Sequence, residues 1–308
     1  MADWTIIKLL AWTESYFKDR NREGENPETP KNHSTKTTLI DSPRLTAEIL
    51  LAHTLGIRRL DLYLQYDRPL DRSELSQFKT RIKRRLAGEP VAYITGSKGF
   101  YDSNFYVAKG VLIPRPDTET LVGASLAFLS DTHGKSEAKQ VLELGTGSGA
   151  VVVSLAKAAP EHFYFACDLS LTALKIAQKN GRQIAENRVR FFAGSWFSAL
   201  RPEPYFDLVV SNPPYIPTGD IQGLQAEIRN FEPLSALDGG SDGLDCYRRI
   251  LDQAHRFIVP GGTLMLEIGY DQRPGLESIA QSHSRYSSGE IVKDLAGHDR
   301  VVKFKKID

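Results

Sequence analysis

The segment Asn212-Pro213-Pro214-Tyr215 combines residue types that can hold a planar –NH2 group. An amide nitrogen is a poor nucleophile because its lone pair is delocalised into the carbonyl, so its N–H groups must be held while it reacts. The side-chain carbonyl of Asn212 and the main-chain carbonyl of Pro213, on a backbone made rigid by proline, can accept these two hydrogens. Tyr215 can stack on the flat group. The four residues are therefore candidate catalytic residues; the alternative is a proline-fixed turn that only ends a strand.

A glycine-rich segment, Gly145-Thr146-Gly147-Ser148-Gly149, joins a strand candidate to a helix candidate. Glycine lets the backbone turn sharply and approach a ligand, and a helix N-terminus offers unpaired N–H groups. The spacing differs from the G-x-G-x-x-G of dinucleotide sites. Glu143 precedes the first glycine by two residues, where a carboxylate would repel a pyrophosphate but suits the cationic ammonium end of S-adenosylmethionine. We therefore predict that this segment and Glu143 bind S-adenosylmethionine; the alternative is a buried Glu143 bonded to backbone amides.

Two further candidates for binding the methyl donor follow the next strand candidates. Asp168 ends the second strand and can accept hydrogen bonds from both ribose hydroxyls. Its alternative role is a helix N-cap, but Ser170 is available for that position. Trp196 follows the third strand and can flank the adenine, although tryptophan more often serves packing.

The second half of the chain alternates strand and helix patterns, which would position these motifs. Seven apolar runs are strand candidates: Val141–Leu144, Phe163–Cys167, Val189–Phe192, Leu208–Ser211, Thr263–Ile268, Glu290–Lys293 and Val301–Phe304. Helical periodicity is clearest over 150–159 and 171–183. The alternation predicts an α/β fold with a parallel sheet covered on both faces. The last two strands have no helix between them, which predicts a closing hairpin.

The first half of the chain predicts a smaller helical domain over residues 1–90. Residues 21–42 are polar and without apolar periodicity, so we expect a flexible loop there. Ser42-Pro43 begins one helix with a stripe at Leu45, Ile49, Ala52 and Leu55, and Asp71 with Glu74 forms a capping box for another. Residues 91–113 carry glycines around aromatic pairs and predict a β-hairpin connector. Residues 114–308 would then be the catalytic domain.

Composition places the chain among ordinary globular proteins. The formal net charge is +1 and 41% of the 308 residues are hydrophobic, so no global field attracts nucleic acid or an anionic membrane. The two cysteines, Cys167 and Cys246, lie far apart and the histidines are scattered, which argues against disulfides and a metal site. No leader or membrane span is recognisable. We expect a cytoplasmic monomer that uses no metal and binds no membrane and no stable nucleic acid.

A cluster of cations near the end of the second helix has two interpretations. It comprises Lys79, Arg81, Lys83, Arg84 and Arg85. It can be a solvated face whose charge complements the helix C-terminus, which is the favoured interpretation, or a docking patch for an acidic or RNA-bound partner.

The motifs together resemble a known family. Asn212-Pro213-Pro214-Tyr215 is similar to the signature of S-adenosylmethionine enzymes that methylate exocyclic or amide –NH2 groups. Three further segments, Ile113–Glu119, Phe231–Gly240 and Asp242–Arg249, narrow the resemblance to the release factor glutamine N5-methyltransferases, the HemK/PrmC family. The resemblance covers Ser42 to the end of the chain and leaves out the polar segment.

The resemblance implies a class I methyltransferase fold, Rossmann-like and seven-stranded, behind a helical domain that docks the substrate. The acceptor would be the glutamine of the Gly-Gly-Gln motif in peptide-chain release factors, and S-adenosyl-L-homocysteine would be the second product. By position, Gly145 to Gly149, Asp168, Trp196 and Asn212 would contact the donor, and Asn212 to Tyr215 would hold the glutamine amide. Arg115 and Glu119 would lie near the site without an assigned catalytic step.

Three alternatives stay open at this stage. An adenine-N6 methyltransferase would use Asn212–Tyr215, the –NH2 clasp, in the same way to hold the adenine –NH2 group. The near-neutral charge and the absence of a separate basic recognition domain argue against this alternative. A sister enzyme that methylates glutamine in a ribosomal protein is the nearest rival. A non-enzymatic nucleotide-sensing or RNA-binding scaffold would leave Asn212–Tyr215 unexplained.

Overall fold

The structure, a computed structural model, describes residues 4–25, 40–130 and 137–307. These residues form two units by the clustering of their contacts. The first unit comprises the described residues of Met1–Gly96 together with Gln225–Phe231, and the second comprises those of Ser97–Leu224 and Glu232–Asp308. No helix among the described residues has the length and apolar character that a membrane crossing requires.

The part of the first unit before Gly96 is helical. Its helices are α1 (Ile6–Glu25), α2 (Pro43–Leu55), α3 (Arg59–Leu64), α4 (Arg72–Leu86) and α5 (Val91–Thr95). Because α1 runs to Glu25, the expected loop over 21–42 was wrong over its first five residues, where the helix continues. Asn21 shows why: its side chain donates to and accepts from the backbone of buried Ile40, at 3.0 Å in both directions. Residues 26–39 lie outside the described residues.

The caps of this unit follow the sequence more closely than its stripes. The capping box of α4 is confirmed: the Glu74 N–H donates to Asp71 at 2.8 Å, and the Asp71 N–H donates to Glu74 at 3.0 Å. The stripe expected on α2 was wrong in part: Ala52 is buried as expected, but Leu45 is 40% exposed, and Leu50 and Leu51, outside the stripe, are fully buried. Helix α2 packs against α1, α3, α4 and α5. A helix apolar on several sides gives no clear choice of buried face from periodicity.

The connector differs from its expectation at one end. The hairpin is present as β1 (Ser97–Phe100) paired with β2 (Ser103–Tyr106), but α5 occupies the start of the expected range. Pro90 precedes this one-turn helix, and Gly96 ends it in the left-handed conformation at φ +68°. Proline before a helix and glycine after it favour a short helical turn over an extended strand.

The second unit contains the predicted seven-stranded sheet. Its strands are β3 (Gln140–Leu144), β4 (Phe163–Asp168), β5 (Val189–Ala193), β6 (Phe206–Ser211), β7 (Ile258–Glu267), β8 (Glu290–Lys293) and β9 (Asp299–Lys305). The order is β5-β4-β3-β6-β7-β9-β8; the five strands from β5 to β7 are parallel, and β9 is antiparallel to β7 and β8. The predicted fold class and closing hairpin are confirmed.

Helices follow most of the strands and cover the sheet. They are α6 (Glu119–Ser130), α7 (Ala150–Ala158), α8 (Leu171–Ile184), α10 (Asp245–Ala254) and α11 (Arg273–His283), while α9 (Ala226–Phe231) belongs to the first unit. Alternate residues of β3 enter different cores: Val141 packs with Val152 of α7, and Leu142 packs with Ile250 of α10. The period of two along a strand thus supplies two apolar layers.

Candidate active site

A cavity of about 360 Å³ lies at the carboxyl ends of the parallel strands in the second unit. This volume is in the range of small-molecule sites, and the carboxyl edge is where α/β sheets bind their ligands. Nine predicted site residues line it: Glu143, Gly145, Thr146, Gly147, Ser148, Asp168, Trp196, Asn212 and Pro214. Gly149, Pro213 and Tyr215 are not among the lining residues. The structure thus brings together candidates that the sequence separates by up to 71 positions, from Glu143 to Pro214.

The glycine segment turns from β3 into α7 through left-handed backbone. Gly145, Gly147 and Gly149 have φ values of +68°, +55° and +81°, which side chains with a Cβ rarely adopt. Gly149 has a second reason to be glycine, since a Cβ there would lie 3.2 Å from that of Ala177 in α8. The first two glycines therefore shape the loop beside the cavity, and the third permits close packing of the helix that follows.

Glu143 is buried beneath this loop and is 3% exposed. The Thr146 hydroxyl and the Val152 N–H both donate to its Oε2. Burial raises the pKa of Glu143 to about 8, against the lowering effect of these two donors. The alternative of a buried Glu143 bonded to a backbone amide is confirmed, while binding of the methyl donor by Glu143, which also lines the cavity, stays a prediction. A cationic group bound nearby would favour its ionised form.

Asp168 joins the same loop to the end of β4. Its Oδ2 accepts from the Gly147 N–H at 2.8 Å, and its Oδ1 accepts from the Ser170 N–H at 2.8 Å. Ser170 is the N-cap of α8, as expected, and its hydroxyl oxygen accepts from the Ala173 N–H at 3.2 Å. Each carboxylate oxygen can accept a second hydrogen bond, so Asp168 shapes the loop and still offers acceptors to the cavity.

Trp196 reaches the cavity through a strained backbone. Its φ is +54°, which is uncommon for a bulky residue, and the Cys167 thiol donates to its carbonyl at 3.3 Å. A Cβ on Gly145 would lie 3.9 Å from the indole ring. The ring therefore lies beside the glycine loop, and its contact with the adenine stays a prediction.

The Asn212–Tyr215 segment leaves the end of β6, between β3 and β7 in the sheet. The Asn212 Nδ2 donates to the Thr118 Oγ1 at 3.1 Å, so a turn 94 residues away holds the side chain. Tyr215 is half-buried against the α10 and α11 side of the sheet and lines a second cavity of about 460 Å³. Burial raises the pKa of Tyr215 to about 12, so it stays neutral. Its stacking on an acceptor stays a prediction.

The glycine-containing segments Phe231–Gly240 and Asp242–Arg249 pack on the backbone of the Asn212–Tyr215 segment. Ile216 and Asp238 form a parallel bridge, in which the Ile216 N–H donates to the Leu237 carbonyl at 3.0 Å. A Cβ on Gly239 would lie 2.8 Å from the Tyr215 Cα, and one on Gly243 would lie 2.4 Å from the Tyr215 carbonyl oxygen. Both segments therefore support the backbone of Asn212–Tyr215, and only glycine leaves room for that close approach.

The charged residues of the Ile113–Glu119 segment all have partners within the second unit. Arg115 pairs with Glu232, which is 6% exposed and also accepts from the Ile113 N–H at 3.0 Å. Asp117 lies 3.2 Å from Arg300 of β9, and Glu119 accepts from the Tyr101 N–H at 2.9 Å. The segment thus connects three separate parts of the second unit near the cavity. This arrangement gives Arg115 and Glu119 supporting contacts and no evident chemical step.

Several residues of the site escaped the sequence reasoning. Glu232, Glu267, Gln272 and Arg300 support the motifs, and Cys246 and Arg249 of α10 line the cavity. Glu232, Cys246 and Arg249 lie inside segments used for the resemblance, so their positions offered a signal; Glu267, Gln272 and Arg300 follow no motif. Within the described ranges, no cluster of three His, Cys, Asp or Glu side chains is arranged for a metal ion.

The basic cluster of α4, in the first unit, is smaller than the sequence suggests. Arg84 pairs with Glu89 at 2.7 Å, and Arg85 is buried and pairs with Glu227 of α9 at 2.6 Å. Neither guanidinium is free for an acidic partner, so the five-residue patch was wrong for these two. Lys79 and Lys83 remain exposed.

Two family models match the chain. Residues 34–96 match the PrmC N-terminal domain, and residues 121–227 match the methyltransferase small domain. A release factor glutamine methyltransferase of Rhodopirellula baltica is 34% identical over 98% of this chain and 97% of its own length. One from Geobacter sulfurreducens is 39% identical over 97% of this chain and 96% of its own length.

A solved structure supports the fold. A methyltransferase from Pyrococcus furiosus is 19% identical, with a TM-score of 0.50 over 75% of this chain and the whole of that one. A sequence identity this low supports a shared fold only, and the function must be argued from the site.

Proposed function

The chain belongs to the family of release factor glutamine methyltransferases, and on that premise we propose that it methylates the side-chain nitrogen of the Gly-Gly-Gln glutamine in peptide-chain release factors, with S-adenosylmethionine as donor. One observation carries the proposal. Asn212, at the start of the –NH2 clasp, lines the same cavity as the glycine loop and Asp168. Acceptor and donor groups would then meet within one cavity, and such proximity supplies much of the acceleration in a transfer reaction.

The donor half of the site fits S-adenosylmethionine on three grounds. The left-handed glycines leave the loop without side chains beside the cavity. Asp168 would accept from the ribose hydroxyls while it holds the Gly147 N–H. Glu143 would complement the ammonium group, since a bound cation favours the ionised form of its carboxyl group. The donor supplies an electrophilic methyl group; these residues bind and orient it.

The acceptor half would hold the glutamine amide by its two N–H groups. The Asn212 side-chain oxygen and the Pro213 main-chain oxygen are the proposed acceptors, and Tyr215 is the proposed stacking residue. Holding both hydrogens aims the nitrogen at the methyl group, and an orienting interaction of this kind acts mainly in the transition state.

Mass spectrometry of an intact release factor after incubation with enzyme and donor tests the function. We expect a gain of one methyl group on the glutamine of Gly-Gly-Gln, and no gain when that glutamine is replaced by glutamate. Parallel incubations with ribosomal protein and with adenine-containing DNA test the two rivals. Methylation of either of these, with none on the release factor, would reject the proposed substrate.

We also propose that the helical unit contributes to choosing the macromolecule. One glutamine side chain offers too little surface for selection, so specificity needs contacts remote from the transfer. Exposed Lys79 and Lys83 of α4 are the proposed contacts for an acidic partner surface. Their joint change to glutamate should raise KM for an intact release factor but not for a Gly-Gly-Gln peptide. Lys8→Glu, on α1 of the same unit, is the control; equal effects of both changes would count against a local patch.

A further inference from the structure

The orientation of the Asn212 side chain depends on groups that lie outside the Asn-Pro-Pro-Tyr motif. An asparagine amide can face its surroundings in two ways that differ by a half-turn and exchange the oxygen with the –NH2 group. The clasp needs the oxygen towards the acceptor. Some neighbour must therefore hold the –NH2 group, and the motif itself supplies none.

Thr118 provides the first of these groups. It ends the 3-10 turn Pro116–Thr118, is 5% exposed, and accepts from the Asn212 Nδ2 at 3.1 Å. A hydroxyl oxygen that already accepts still has its own hydrogen to donate. Thr118 can thus link Asn212 to a further acceptor.

Glu267 provides that acceptor. It ends β7 and is 1% exposed. Ser211 pairs with Leu266 across β6 and β7, so Asn212 and Glu267 each directly follow a residue of the same pair. Burial raises the pKa of Glu267 to about 7, against the lowering effect of the nearby Thr118 and Asn212 side chains. Its Oε2 has no hydrogen-bond partner among the described residues. A buried oxygen of this kind favours a neighbouring N–H and disfavours a neighbouring carbonyl.

We propose that Thr118 and Glu267 are positioning residues, which hold the Asn212 –NH2 group and so keep the Asn212 side-chain oxygen available to the methyl acceptor. When the Thr118 hydroxyl donates its hydrogen to an ionised Glu267, both groups offer only acceptor oxygens to Asn212, and these are complementary to –NH2 only. Turning the amide over would then place its oxygen against a carboxylate and leave a buried acceptor unpaired, at a cost typical of an unsatisfied group. The inference rests on the proposed use of Asn212 as a hydrogen-bond acceptor.

Three full-length variants test the inference. Thr118→Val keeps the shape and removes the hydroxyl, Thr118→Ser keeps the hydroxyl, and Glu267→Gln allows an –NH2 group to face Asn212. We expect Thr118→Val and Glu267→Gln to lower kcat about tenfold or more, with KM and the donor Kd within twofold of wild type. Thr118→Ser should recover most of kcat, because it restores the hydrogen bond.

Ser125→Ala is the matched control for loss of a buried hydroxyl. Ser125 is fully buried in α6, which follows the same turn, and its hydroxyl donates to the Leu121 carbonyl at 2.7 Å. We expect kcat unchanged there. A kcat within twofold of wild type in Thr118→Val, or a loss that Thr118→Ser does not restore, would overturn the inference.

The assay also separates this inference from the proposed function. The acceptor is whichever molecule the wild-type enzyme methylates. If wild-type enzyme leaves the release factor unmethylated, the proposed function fails whatever the variants do. If it methylates the release factor and Thr118→Val does so equally fast, only the positioning role fails.

Discussion

The Gln272 side-chain amide donates to the main-chain carbonyl of Tyr215 at 2.8 Å, and so holds the last residue of the –NH2 clasp. The same side chain is engaged on its other side, because its Oε1 accepts from the Gly269 N–H at 3.0 Å and the Tyr247 hydroxyl at 3.3 Å. One glutamine thereby connects the clasp, α10 and the loop after β7. A half-buried amide with this many partners fixes the geometry of all of them.

Gln272→Glu should weaken the clasp while keeping the shape of the side chain. A carboxylate oxygen would face the Tyr215 carbonyl, and two acceptors without a hydrogen between them repel. We expect a loss of about 1–3 kcal/mol in the free energy of unfolding and a lower kcat with unchanged donor affinity. Urea denaturation and steady-state kinetics measure these. Gln281→Glu, an exposed site in α11, is the control; equal losses in both would contradict the assignment.

Asn212→Ala should leave donor binding largely intact and remove methyl transfer. In the proposed function the glycine loop and Asp168 hold most of the donor, while Asn212 holds the acceptor. The expected fall in single-turnover rate is about a hundredfold or more, the scale for removing an orienting hydrogen bond that acts in the transition state. Calorimetry gives the donor affinity of the same sample. A rate within about threefold of wild type would remove the assigned role.

Asp168→Ala should weaken binding of S-adenosylmethionine by about 1.5–3 kcal/mol, the range for hydrogen bonds to a charged group. Part of the loss will come from freeing the Gly147 N–H, to which Asp168 is bonded. Asp71→Ala is the matched control: it removes the N-cap of α4 in the first unit and should cost about 1 kcal/mol of stability with donor affinity kept. Unchanged affinity in Asp168→Ala, measured by titration calorimetry, would leave Asp168 a structural residue only.

Glu267 should make the protein less stable as pH rises. Burial raises its pKa from 4.5 to about 7, so the folded state holds a proton that the unfolded state has lost between these values. Its stabilising contribution is therefore complete below about pH 4.5 and disappears by about pH 7. Relative to Glu267→Gln, wild type should lose on the order of 3 kcal/mol of unfolding free energy over this window.

Urea denaturation from pH 4.5 to 8 measures the difference between the two proteins. Glu143, whose pKa is raised to about 8, is present in both and cancels in the comparison. Glu203→Gln, the same substitution at an exposed position, is the matched control. If the free energy of unfolding changed with pH in the same way for wild type and Glu267→Gln, Glu267 would be ionised over the whole of this pH range.

The features that the sequence predicted are those with a local signal. Strands of continuous apolar residues, the glycine loop and the Asn-Pro-Pro-Tyr turn each occupy fewer than about ten residues, and the order of strand and helix then brings their ends to one edge of the sheet. The cavity lined by Gly145, Asp168 and Asn212 follows from that order.

The residues that hold those motifs had no such signal. Thr118 is 94 positions from Asn212, and Arg115 is 117 positions from Glu232, so each pair exists only once the sheet has formed. A lone Thr, Glu or Gln in sequence is compatible with many roles. The short helix α5 was not predicted for a related reason: five residues carry too little periodicity to distinguish a helical turn from a strand.

The excursion of Gln225–Phe231 into the helical unit constrains how this protein can be recombined. The chain departs from the catalytic unit after Leu224 and re-enters it at Glu232, so no single cut yields both units whole. A chimera that imports a foreign helical unit through residue 96 alone would separate buried Arg85 from its half-buried partner Glu227, and a buried charge left unpaired is strongly destabilising. Residues 1–96 and 225–231 must therefore be exchanged as one module, and we expect the two positions of this ion pair to change together among homologues.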